Sequence, residues 1–78
     1  MPVPGDAIRL VDILPGDVVQ PIGGAGRGGP RMCTAHYEEA TGSVNSWVVA
    51  WADGTTTVYD ASYGPGNTYV WQFLYRYA

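Results

Sequence analysis

Three glycines, Gly24, Gly26 and Gly29, stand at the G-x-G-x-x-G spacing of a phosphate cradle, within the stretch IGGAGRGGPRM from Ile22 to Met32. In a dinucleotide site the third glycine opens a helix whose N-terminal amides hold the pyrophosphate. Here Pro30 and the strand-forming run MCTAHY follow instead, so the helix, its dipole and the crossover are missing. What remains is a softer anion site. The amides of Gly26, Gly28 and Gly29 could form a nest, with Arg27 and Arg31 supplying charge-assisted hydrogen bonds and Tyr63 or Trp71 stacking a base. The ordinary reading is a surface connection that needs glycine for its dihedrals.

Cys33 and His36 form C-x-x-H, a metal-ligand spacing. Residues three apart on an extended strand face opposite sides, and the chain has no second Cys or His to complete a tetrahedral site. His36 as a general base, with Cys33, Ser43 or Ser46 as nucleophile, lacks any third group to orient it. Glu38-Glu39 reads as a solvated strand end. The sequence therefore leads us to expect no catalytic residue, no metal and no cofactor.

The elements that carry these residues look all-β. Proline or glycine punctuates the chain every ten to fifteen residues, and the segments between alternate with period two. AIRLVDI, residues 7–13, is ambiguous between a short strand and a helical turn begun by Asp6. Leu14-Pro15-Gly16-Asp17 suits a type II turn. Strands are expected over 17–22, ending near Pro21, and over 31–38, with Met32, Thr34 and His36 on one face and Cys33, Ala35 and Tyr37 on the other. Asp53-Gly54 predicts a type I′ hairpin in VNSWVVAWADGTTTVYD, pairing Ala52 with Thr55. Trp47, Val49, Trp51, Thr56 and Val58 would then share one face. In the last strand Tyr69, Trp71, Phe73, Tyr75 and Tyr77 alternate onto one face. Five strands in 78 residues close best as a small SH3-like five-stranded barrel or a curled half-barrel. It forms one domain over 1–78, with residues 1–13 a candidate N-terminal extension.

Composition narrows the role. The chain has four arginines, no lysine and seven carboxylates, for a net charge of −3. That balance disfavours nucleic-acid binding and favours solubility or a basic partner. The lone Cys33 excludes an internal disulfide. There is no signal-like leader and no long apolar run, so a cytoplasmic protein without a membrane partner is expected.

GDVVQ at 16–20, GGPRM at 28–32 and W-x-D-G at 51–54 together resemble the YodC-like family of small bacterial proteins, over roughly residues 14 to 60. WADGTTTVY also resembles short β-rich proteins of actinobacteria and their phages. The longer glycine loop, Cys33 and the aromatic last strand depart from the family pattern. The resemblance implies a compact SH3-like fold and no catalytic residue.

The aromatic strand is the main positive signal. A small barrel has little room for all these rings, so some of Trp51, Trp71, Tyr75 and Tyr77, with Tyr63, are expected outside as a protein interface. The expected function is a non-enzymatic interaction module, an accessory or inhibitor protein that binds a partner or pairs with itself along an aromatic β-edge. The alternatives are a nucleotide or other anionic ligand at Gly26, Arg27, Gly28, Gly29 and Arg31, and then single-stranded nucleic acid.

Overall fold

The computed structural model describes residues 2–22, 29–39, 45–62 and 64–77. Among them the chain is all-β without an α-helix. Six strands, β1 (Ala7–Ile8), β2 (Asp17–Pro21), β3 (Arg31–Glu38), β4 (Ser46–Trp51), β5 (Thr56–Asp60) and β6 (Trp71–Arg76), form a curled half-barrel. Their order is β1-β6-β2-β3-β4-β5, with every neighbouring pair antiparallel.

The sixth strand comes from the ambiguous opening segment. Ala7–Ile8 pairs with β6, and Leu10–Asp12 then forms one 3-10 turn, so strand and turn follow each other. Asp6 does not start that turn; its carboxylate accepts the Val3 N–H. Among the early residues, Ile8, Leu10 and Ile13 are core. They join Val19, Cys33, Val49, Trp51, Tyr59 and Phe73. The half-barrel's open side, between β1 and β5, is filled by this turn and a second 3-10 turn at Gly64–Asn67. Arg9 Nη1 donates to Asn67 Oδ1 across the seam. Gly66 must be glycine, since a Cβ there would come within 2.4 Å of the Asp60 carbonyl.

The Pro15-Gly16 turn forms as its residues require. Asp17 N–H donates to the Leu14 carbonyl, and Gly16 adopts φ +94°. A Cβ at Gly16 would also sit 2.9 Å from the Tyr77 carbonyl.

The Asp53-Gly54 hairpin is present with a different turn. Trp51 N–H donates to the Thr55 carbonyl and Gly54 has φ +91°, so the loop holds three residues and ends in a glycine bulge. Register moves by one, with Val49 opposite Thr57 and Trp47 opposite Tyr59. Since opposed residues share a face, Trp47, Val49, Trp51, Thr57 and Tyr59 face inward, while Val48 and Val58 face out.

Two bulges overturn the other alternations. Cys33 pairs with Trp51 but Ala35 with Ala50, so Thr34 is the extra residue in β3. Cys33 and His36 therefore both face the core, while Met32, Ala35 and Tyr37 face out. In β6, Phe73 pairs with Val19 but Tyr75 with Val18, making Leu74 the extra residue. The aromatic strip divides there, with Trp71 and Phe73 inward and Tyr75 and Tyr77 outward beside Val18. Finally, β6 lies between β1 and β2. Over Trp71–Phe73 the aromatic strand is therefore no edge, because β1 with the residues before it takes one side and β2 the other, while Tyr75 and Arg76 pair with β2 alone; the outermost strands of the sheet are β1 and β5.

Candidate functional site

The inward-facing polar groups are spent on structure. Asp17 is fully buried between β6 and the turn before β2. Its Oδ1 accepts Arg76 Nε at 2.7 Å, and its Oδ2 accepts the Leu14 N–H at 2.9 Å. His36 is equally committed. Its Nδ1 lies 2.6 Å from the Ile13 carbonyl, which can only accept, so Nδ1 carries the proton. Nε2 meets the Tyr59 hydroxyl, and in the neutral ring it is the acceptor. Burial, with smaller contributions from the charges of Asp12 and Cys33, pushes the Tyr59 phenol up to about 12, which keeps it a donor.

Cys33 is buried, and that burial raises its thiol pKa; its Sγ points to the Ala35 carbonyl. The bulge brings Cys33 and His36 onto one face, contrary to the sequence expectation. Even so, no group of three metal-ligating side chains occurs among the described residues.

Among the described residues, two concavities flank this core. A cavity of about 200 Å³ is lined by Val11, His36, Trp47, Tyr59 and Ala61. The Trp47 ring stands nearly perpendicular to His36 at 5.6 Å, so its walls are largely aromatic. A wider groove of about 470 Å³ runs past Leu14 and Tyr69 and is bordered by Arg9 and Arg76. Arg9 has little left for a ligand. Its Nε and Nη2 bind both oxygens of Asp12, Nη1 binds Asn67, and its guanidinium lies 5.3 Å from the Tyr69 ring centre. The bond from Arg9 holds the Asp12 carboxyl below its ordinary range.

The expected interface residues separate. Trp51, only 2% exposed, belongs to the core and leaves the interface set. Its indole N–H donates to Thr57 and its ring stacks on Trp71 at 5.2 Å. Trp71 is half-buried, whereas Tyr75 and Tyr77 are 55% and 67% exposed. Tyr63 lies outside the described residues, as do Gly26, Arg27 and Gly28 of the glycine loop. Gly29 is exposed, and the Arg31 guanidinium sits 5.8 Å from the Trp51 ring centre.

Sequence reasoning missed a second outward row. Tyr37, Val48 and Val58 lie side by side across β3, β4 and β5; Tyr37 and Val58 are 48% and 59% exposed, and Val48 between them is buried. The signal was the apolar run Trp47-Val48-Val49, which supplies both faces of β4. On β2, Val18 is likewise buried between Met32 and Tyr75. No helix among the described residues is long and apolar enough to cross a membrane. Comparison of the chain with protein-family models, curated proteins and solved structures returned no match.

Proposed function

We propose that this chain is a non-enzymatic interaction module of SH3-like type, related to the YodC-like proteins, that binds a protein partner or a second copy through the outer face of its sheet. The observation that carries this reading is the apolar outer face itself. Tyr37, Val58, Tyr75 and Tyr77 are each about half exposed or more. Large exposed rings beside β-branched neighbours are the usual anchors of protein interfaces. The absence of a catalytic role is supported by the commitments of His36 and Cys33, whose ring nitrogens and thiol are each held by a partner within the protein.

Sedimentation velocity from micromolar to millimolar chain, with matched Tyr75→Ala/Tyr77→Ala and Tyr37→Ala variants as binding baits, tests the proposal. The expected result is self-association, or capture of a partner, that these variants lose. Monomeric behaviour throughout, with identical capture by all baits, would remove it.

A second reading, an anionic or nucleotide ligand at the glycine loop, rests on one further observation. Trp71 pairs with Pro21 at the loop's entry, and Arg31 begins β3 at its exit, so cation and stacked indoles gather where the loop joins the sheet. A thermal shift with nucleotides that grows with ligand excess, and that Arg27→Ala/Arg31→Ala abolishes, would favour it. Single-stranded nucleic acid would instead show steep loss of binding with salt.

A further inference from the structure

The two edges of the sheet are not alike. β1 is two residues long, and Pro2 and Pro4 precede it. β5 is five residues long, with neither proline, bulge nor lysine to guard it. Natural edge strands usually carry at least one such device against pairing with another chain.

Hydrogen-bond phase shows which groups β5 presents. Trp51 N–H donates to Thr55 O, and Ala61 N–H to Asn45 O. Bonded and non-bonded pairs alternate in an antiparallel ladder, so Thr55, Thr57, Tyr59 and Ala61 turn their amides towards β4. Thr56, Val58 and Asp60 turn theirs to the open side. Asp60 is closed off by Gly66, which packs against its carbonyl. The N–H and C=O of Thr56 and Val58 remain, two exposed residues in strand conformation.

We infer that this edge takes an extended basic segment of a partner protein as a seventh strand, a mode in which main-chain bonds give affinity and flanking side chains give selectivity. The inference rests on the interaction-module reading and names its partner chemistry. Charge decides between occupants. Asp53 and Asp60 stand at the two ends of the edge, each fixed through Oδ1 by the residue two places on. Hydrogen bonds from Thr55 are the main cause that keeps the Asp53 carboxyl below its ordinary range. A second copy paired antiparallel about Thr57 would set Asp53 of each chain beside Asp60 of the other, four carboxylates that Arg31, whose charge reaches Asp53, offsets only in part. A strand with a cation at either end and β-branched residues between reverses that repulsion.

The test titrates the capped peptide Arg-Val-Thr-Val-Thr-Val-Arg into labelled full chain and follows amide shifts, with a Glu-ended peptide of the same core as control. Shifts should centre on the Thr56 and Val58 amides, weaken as salt rises, and be absent with the Glu-ended peptide. Val58→Pro removes an outward N–H without breaking a bond to β4, and Val58→Lys places a like charge on the edge; each should weaken binding at least about tenfold. Should the proline variant unfold, the lysine variant still decides. No shift at Thr56 and Val58 at millimolar peptide, or equal binding by wild type and Val58→Lys, overturns the edge inference. Tyr75→Ala and Tyr37→Ala serve to separate the two readings. If they alone abolish association while the edge variants do not, the outer-face proposal stands without the seventh strand.

Discussion

The two halves of this sheet satisfy themselves to different degrees. In the half built from β1, β6 and β2, charge meets charge inside the molecule: Arg76 closes on buried Asp17, and Arg9 grips Asp12 with two nitrogens. Its edge is short, and Gly5 bonds to β6 through its backbone N–H and carbonyl. In the half built from β3, β4 and β5, the inward polar groups bond to one another, His36 with Tyr59 and Trp51 with Thr57. Both halves expose apolar side chains, Tyr75 and Tyr77 in the first and Tyr37 and Val58 in the second, but the second also turns the backbone of Thr56 and Val58 to the open side of a longer edge. The difference teaches where to look for a partner that pairs through its backbone, since a main-chain group already bonded gains little by being covered.

The contrast can be broken most forcefully at Asp17. Replacing it with Ala empties a fully buried site and removes its bonds to half-buried Arg76 and to the Leu14 N–H, and should cost about 2 kcal/mol or more in urea unfolding. Asp17→Asn keeps an acceptor for the Leu14 N–H and should cost less. A loss below about 1 kcal/mol for Asp17→Ala would mean that the first half is not held by its ion pair.

The second half should respond more gently. Tyr59→Phe deprives His36 Nε2 of its donor and is expected to destabilise by about 1 to 2 kcal/mol. The phenol also sets an alkaline limit. Its folded pKa of about 12 lies above the ordinary 10, so the unfolded chain releases this proton first. Its contribution to stability is whole below pH 10 and falls as pH climbs towards about 12. Denaturation followed across that range should show the decline in wild type and a shallower one in Tyr59→Phe.

The smallest effects belong to the exposed groups. Val58→Lys and Tyr75→Ala should each change stability by less than about 1 kcal/mol. A larger loss would show that these side chains help hold the sheet and are not free for a partner.

Local chemistry was legible in the sequence, and phase was not. The Pro15-Gly16 turn, the Asp53-Gly54 hairpin and the span of β3 follow from residue types whose dihedral preferences act over two or three positions. The hairpin's register did not, because Asp53-Gly54 fits a two-residue or a three-residue loop, and Trp47-Val48-Val49 is apolar whichever face turns inward. Bulges have no residue signature at Thr34 or Leu74, yet each inverts every side chain beyond it. The Asp17–Arg76 pair joins positions 59 apart in sequence, and the chain from Ile13 through His36 to Tyr59 spans three elements. Only the assembled topology brings them together. The same holds for the site: aromatic content pointed to an exposed surface, but Trp51 went inside and Tyr37 and Val58 came out.

Leu74 is the one residue of β6 that the ladder does not need. Deleting it would leave Tyr75 opposite Val18 and Arg76 opposite Asp17, because the run from the Phe73–Val19 pair reaches the same partners with one residue fewer. Were Leu74 instead to enter the ladder opposite Val18, Tyr75 would turn in towards Asp17 and Arg76 out to water, and a buried carboxylate would face a phenol. A single looped-out residue thus decides both the molecule's interior and its means of recognition, with every side chain unchanged.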